Sequence, residues 1–503
     1  ALGAERVTGV EINPGIVEAA HGRFRGYGID ELVRDEAYVL KNGEGRSYVR
    51  STDERYDSLT ITFIQTGVAS GSAAFALSEA NLFTVEAFLD FIGKLEPDGV
   101  FYVYRHGGIE CLRLVSMIRE VLSRLGVADW RQHLFIARNQ GNECMVLVGR
   151  SPLREDEVQK LTAASTELSL EVVFAPGEGR EARPLNPFPA EIEAMRREGS
   201  LSMTRAVEAW KCNAHGTAVE PIEASYIRSE DPAAFRRNFL VDIDAPTDDR
   251  PYFFFTGLER LSDFGLYFDT AGTGLLGGTV VMLFWMGCAF TLLIAVLIVL
   301  PLWFRRRSDG PRPRGGLAVV VYFSGLGIGY IAVQISFIQR FTLFLGHPVY
   351  AVSVVLLAFL LASGLGSFCS DRLFRKGILT FPRLVAILVA LLLLSNWLLP
   401  VLFHSSLLGW PVAMRIALSV LLIGVLAFPM GMFFPQGMHL VEKVAPDYLP
   451  WAWGANSAAS VIGSILALIL AIHSGFAVVA LAAAVVYVVA TLPALRALRR
   501  AAN

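Results

Sequence analysis

Two carboxylates in the first 50 residues stand where a nucleoside would meet them. Glu11 closes the short apolar run 6–12, just before residues 14–24, which read as a helix. Ligands of α/β folds bind at the carboxyl ends of strands, and an acidic side chain there can accept both hydroxyl hydrogens of a ribose. Glu44 lies in Gly43-Glu44-Gly45-Arg46-Ser47-Tyr48, after the strand 38–41. Its flanking glycines let backbone approach an adenine, while Glu44 accepts from the exocyclic amine. Either residue would serve equally as a solvated strand-end carboxylate, which needs no ligand. The five cysteines (Cys111, Cys144, Cys212, Cys288 and Cys369) show no Cys-x-x-Cys or Cys/His spacing. They read as scattered buried thiols rather than a disulfide framework or a zinc site.

The elements that would position these groups alternate. Strands are expected at 6–12, 38–41, 56–64, 100–104, 133–137 and 144–148, and helices at 14–24, 84–95 and 108–125. Leu95-Glu96-Pro97-Asp98-Gly99 reads as a turn into its strand. Such alternation predicts an α/β domain over residues 1–150, with a parallel sheet covered on both faces. Residues 151–265 are less regular, broken at Pro176-Gly177 and Pro184–Pro187. They end in Thr247-Asp248-Asp249-Arg250-Pro251-Tyr252-Phe253-Phe254. That segment reads as a capped turn leading to aromatic residues at a membrane interface.

A mean hydropathy of +0.48 is too apolar for a soluble enzyme, yet 18% charged residues is too many for a pure membrane bundle. The charges resolve this by their placement. After residue 270 there are four acidic residues (Asp309, Asp371, Glu442, Asp447) and 15 Lys or Arg, a net of +11. The first 270 residues hold the other 42 of 46 acidic and 29 of 44 basic groups, a net of −13. A domain so acidic repels nucleic acid and anionic lipid, which excludes both as its ligand.

Hydrophobic stretches at 275–304, 317–339, 349–370, 379–403, 412–434, 454–473 and 476–496 predict an all-α transmembrane bundle over residues 270–500. Each is near the length needed to cross about 30 Å of hydrocarbon. Ser324–Gly329 and Ser363–Ser367 are rich in small residues, which lets helix backbones pack closely. With seven spans, Arg305–Arg314, Arg372–Arg383, Lys443 and Arg496–Arg500 fall on one face, leaving Arg340 and Arg415 on the other. The Arg-rich face should be cytoplasmic, which puts the acidic domain outside the cytoplasm. Gln334, Gln339, His347, His404, Arg415, His439, Asn456 and His473 lie in or beside the spans with no evident acidic partner at membrane depth. A proton-coupled transporter usually needs an intramembrane carboxylate, and none is visible.

Val10-Glu11-Ile12-Asn13-Pro14, Gly43–Tyr48, Tyr56-Asp57, Leu82-Phe83-Thr84 and Pro97-Asp98-Gly99 occur in an order that resembles spermidine synthases, which are methyltransferase-like aminopropyltransferases. With Ala76-Leu77-Ser78-Glu79, Thr247–Phe254 and Phe344-Leu345-Gly346-His347-Pro348, the chain is most similar to bacterial membrane-fused spermidine synthase-like proteins. The resemblance implies a methyltransferase-like (Rossmann-like) fold fused to transmembrane helices in the bacterial inner (plasma) membrane. It implies S-adenosylmethionine or decarboxylated S-adenosylmethionine as cofactor, on Glu11, Asn13, Glu44 and Gly45. It also implies a polyamine substrate, with Asp248 and Asp249 at the mouth of the site. The family's first strand and Gly-rich loop would lie upstream of Ala1. Where aminopropyltransferases carry a general-base Asp, this chain has Gln65, and an amide is no base; Glu79 is the next carboxylate after it in the chain.

Three functions therefore remain in view. One is a membrane-anchored transferase in which Gln65 leaves aminopropyl transfer without its base. Another is a multi-helix transporter whose domain binds a ligand without turning it over. The third is a catalytically silent scaffold.

Overall fold

The structure, a computed structural model, describes residues 4–23, 37–62, 80–141, 143–177, 221–239, 242–250, 274–294, 316–403 and 406–502, with a few residues near 194–200 and at 296. The chain forms two compact units. One is Tyr48–Met282, and the other joins Ala1–Ser47 to Leu283–Asn503.

Strand β1 (Val7–Glu11) leads into α1 (Pro14–Glu18), and β2 (Tyr38–Asn42) leads into α2 (Gly45–Ser51). β1 and β2 pair in parallel, in register from Val7 opposite Tyr38 to Glu11 opposite Asn42. Helix α1 is started by Asn13, whose side-chain oxygen accepts from the Gly15 N–H, and by Pro14 in its first turn. Proline fits there because its missing N–H would have no helical partner.

The unit Tyr48–Met282 is built on a five-stranded sheet. In chain order it contains β3 (Tyr56–Thr62), α3 (Val85–Gly93), β4 (Leu95–His106), α4 (Ile109–Arg124), β5 (Leu134–Arg138), β6 (Glu143–Gly149), α5 (Glu155–Glu167), β7 (Glu171–Phe174), α6 (Ile222–Arg228) and α7 (Pro232–Asn238). Its strand order is β3-β4-β6-β5-β7. Only β3 and β4 are parallel; β6 is antiparallel to both β4 and β5, and β5 to β7. The sheet is thus mixed, which corrects the expectation of a parallel one. The reason is chain length. Only residues 139–142 join β5 to β6, enough for a hairpin and far too few for a parallel crossover.

The expected turn at 95–99 is part of β4, and the register slips there from Tyr56 opposite Leu95 to Ser58 opposite Val100. Gly99 permits the slip, since a Cβ there would lie 2.9 Å from the Tyr56 carbonyl oxygen. Helix α3 buries Val85, Ala87, Phe88, Phe91 and Ile92, the stripe expected of an amphipathic helix on a sheet. Phe88 meets Phe101 of β4 edge-on at 4.8 Å, and Phe91 lies 5.5 Å from the same ring. Burial of each such ring contributes about 1.5–3 kcal/mol. Helix α4 is buried over most of its length, from Ile109 to Leu122. Beyond residue 150 the described elements are α5, β7, α6 and α7, and the break at Pro184 lies outside the described residues.

After α8 (Gly274–Ile294) come α9 (Gly316–Leu345), α10 (Pro348–Arg375), α11 (Phe381–Phe403), α12 (Val412–Val444), α13 (Leu449–Ser474) and α14 (Phe476–Ala502). Among the described residues six helices, α9 to α14, are long and apolar enough to cross a membrane. Of the seventh expected span, 275–304, the part beyond α8 lies almost wholly outside the described residues. Gly475, at φ +88°, makes the turn between α13 and α14, the tight hairpin expected there. Glycines set the packing of α10 on α12. A Cβ on Gly366 would overlap the Phe428 carbonyl oxygen, and one on Gly431 the Ser363 carbonyl oxygen.

Candidate functional site

The parallel pairing of β1 and β2 brings Glu11, Asn13, Glu44 and Gly45 to one end of two adjacent strands. The Gly43 N–H donates to the Glu11 carbonyl at 3.0 Å, and the Asn42 side-chain amide donates to the same oxygen at 2.9 Å. These bonds lock the two strand ends together. One Glu11 carboxylate oxygen, Oε1, accepts from the Asn13 N–H at 2.7 Å. That bond orients the carboxylate without engaging Oε2.

Glu44 has a more local role. Its Oε1 accepts from the Arg46 N–H at 3.0 Å and its Oε2 from the Ser47 N–H at 2.8 Å. It therefore caps the first turn of α2, where unpaired N–H groups favour an anion. The glycines beside it leave room. A Cβ on Gly45 would meet nothing within 4 Å, and one on Gly43 only Val10 Cγ1, at 3.9 Å. The strand ends thus offer an oriented carboxylate and an approachable backbone.

Gln65 and Glu79 lie outside the described residues. Asp248 lies in the unit Tyr48–Met282, in the turn Thr247–Arg250 with Asp249. Its Oδ1 accepts from the Thr84 hydroxyl at 2.7 Å, and its N–H donates to Glu86 Oε2 at 2.8 Å. Val85 N–H bonds to the Pro246 carbonyl beside it at 2.9 Å. The turn is thus fastened to the first turn of α3.

Several buried polar groups carry no signal in sequence spacing. Arg113 of α4 is fully buried; its Nε donates to the Asp244 carbonyl at 2.9 Å, and Nη2 lies 3.8 Å from Asp242. Burial pulls its guanidinium down to about 10, with Asp242 opposing that shift. Cys111, Cys144 and Glu223 are fully buried with their Sγ and carboxylate atoms within 4.8 Å of one another. Burial pushes the Cys111 thiol well up, and its hydrogen bond with Cys144 adds to this.

In the helical unit, Arg340 of α9 donates to Asn396 Oδ1 of α11 at 2.7 Å, and Arg415 of α12 donates to the Phe344 carbonyl at 2.9 Å. His439 has an acidic neighbour near the end of its helix. Its Nε2 lies 3.1 Å from Asp371, which also accepts from Gln436 Nε2 at 2.8 Å. Asp371 and His439 are half exposed near the C-terminal ends of α10 and α12, away from the middle of the spans.

Six long apolar helices joined to a mixed α/β domain define a multi-pass membrane protein, with the lipid bilayer as its partner. No protein-family model matches the chain, and no curated protein matches it.

Proposed function

We propose that the protein is a membrane-anchored transferase of methyltransferase-like fold that holds S-adenosylmethionine or its decarboxylated form. The observation that carries this reading is the parallel register placing Glu11 opposite Asn42, with Gly43 and Glu44 following directly. Glu11 would accept the two ribose hydroxyls on Oε2 while Asn13 fixes the carboxylate. Backbone at Gly43–Gly45 would approach the adenine, whose exocyclic amine Glu44 would accept. The sheet supports the same reading, because a parallel pair continued by an antiparallel strand inserted beside it suits a methyltransferase-like fold. When bound, the ligand supplies an electrophilic carbon on a cationic sulfur. The chain's own part is to bind and orient it, and to take a proton from the attacking nucleophile.

That last part is where the protein departs from a spermidine synthase. Gln65 cannot take a proton, and general-base help is worth roughly 10²–10⁴ in rate. Adenosyl binding with little aminopropyl transfer to putrescine is the resulting activity, in the bacterial plasma membrane with the domain on the extracytoplasmic side. Calorimetry with both adenosyl compounds on the detergent-purified protein tests it. Measurable binding that Glu11→Ala abolishes supports the reading. Absent binding, or binding indifferent to Glu11→Ala, leaves the domain a silent scaffold, a role that Glu44's engagement by backbone already suits.

A further inference from the structure

We propose that Cys111, Cys144 and Glu223 form a buried site for a thiophilic divalent cation of the zinc class. The three side chains come from three elements: the first turn of α4, strand β6 and the first turn of α6. Each is fully buried, and their ligand atoms all lie within 4.8 Å of one another. Zinc binds thiolate at about 2.3 Å and carboxylate at about 2.0–2.2 Å, so bound ligand atoms sit roughly 3.5–3.8 Å apart. The atoms are close enough that small side-chain rotations bring them onto one ion. Two sulfurs and a carboxylate also select a thiophilic ion over calcium or magnesium, which prefer all-oxygen sites.

The surroundings suit a ligand set. Glu223 Oε1 accepts from the Gly108 N–H at 2.8 Å, which orients the carboxylate as outer-shell partners do at metal sites. Cys111 lies in the first turn of α4, where the helix dipole favours a thiolate. Arg138 of β5, which also pairs with Glu171 at 2.7 Å, is a cation whose field reaches Cys111, Cys144 and Glu223 together. It offsets part of the charge left when two thiolates and a carboxylate surround a dication. On binding, each thiol passes its proton to solvent and its sulfur pair to the metal. Such a site would tie α4, β6 and α6 together in the middle of the core, adding to the Gly108–Glu223 hydrogen bond that already joins α4 and α6. The inference is independent of the adenosyl reading.

The test uses the full chain purified in detergent without a metal-binding tag, with C212S, C288S and C369S leaving two thiols. After growth with zinc, elemental analysis should find about one zinc per chain, as expected of a single site. Cobalt(II) added to the reduced, metal-free protein should raise a thiolate-to-cobalt charge-transfer band saturating at about one equivalent. Glu223→Gln should keep that band and weaken cobalt binding by about tenfold or more. Should this variant fold poorly, the parent protein still decides, through its zinc content and its cobalt charge-transfer band. Sub-stoichiometric zinc with no charge-transfer band overturns the proposal. So does a Cys111–Cys144 disulfide in place of metal.

Discussion

The Thr84 hydroxyl donates to Asp248 at 2.7 Å and accepts from the Ala87 N–H at 3.1 Å, so one buried oxygen both caps α3 and holds the turn Thr247–Arg250. Two segments 164 positions apart in the chain are fastened by that oxygen, and Asp248 is fixed as a structural acceptor.

Thr84→Val keeps the shape of the side chain and removes both bonds. Loss of an N-cap costs about 0.5–2 kcal/mol, and the lost bond to Asp248 adds to it. Urea unfolding of the protein should show a loss of about 2 kcal/mol, whereas the exposed Thr166→Val should change little. An equal effect at both positions would mean the Thr84–Asp248 bond contributes nothing.

What the sequence made legible was local. Strand-end Glu11 and the glycines around Glu44 could be placed because strands and turns are written in short runs. The capping of α2 by Glu44 was also within reach, since an acidic residue before a helical turn is a common N-terminal signal. The mixed sheet had a readable sign as well, in the few residues between the strands at 133–137 and 144–148. The group of Cys111, Cys144 and Glu223 had none. Its members are brought together by packing of α4, β6 and α6, and no spacing rule covers contacts made across a core.

The close passage of α10 and α12 gives a second expectation. Gly366 and Gly431 each face a backbone carbonyl of the opposite helix, so any side chain there must push the helices apart. Gly366→Leu should abolish stable extraction in mild detergent or shift thermal unfolding down strongly. Gly364→Leu, where a Cβ would meet nothing within 4 Å, should be tolerated. Similar behaviour of the two variants would mean that the helices do not pack through Gly366.

The basic residues predict an orientation that labelling can test. Arg305, Arg306 and Arg307 precede Ser308, with Arg312 and Arg314 beyond it. Basic residues clustered between spans remain on the cytoplasmic side. In a variant lacking the native cysteines, Ser308→Cys should resist a membrane-impermeant maleimide on intact cells and react after permeabilisation. Efficient labelling of intact cells would reverse the orientation and place the α/β domain in the cytoplasm.

The last expectation concerns catalysis. Aminopropyl transfer needs a nucleophilic amine, and putrescine is protonated at neutral pH until a base removes its proton. Gln65 offers an amide, which is neutral and holds no such capacity. If the site is otherwise intact, Gln65→Asp supplies the missing carboxylate and should raise transfer by up to about a hundredfold. The rate should then rise with pH through the carboxylate's titration, a profile the parent protein should lack. Adenosyl affinity should stay within about threefold, because the ribose and adenine contacts assigned to Glu11 and Glu44 are untouched; a threefold change is only about 0.7 kcal/mol. A Gln65→Asp protein that binds the adenosyl compound and still transfers nothing would show that more than the base is missing. A parent protein already transferring at a rate that Gln65→Asp does not improve would show that another residue takes the proton. Glu79→Gln then becomes the deciding variant, since Glu79 is the next carboxylate after Gln65 in the chain.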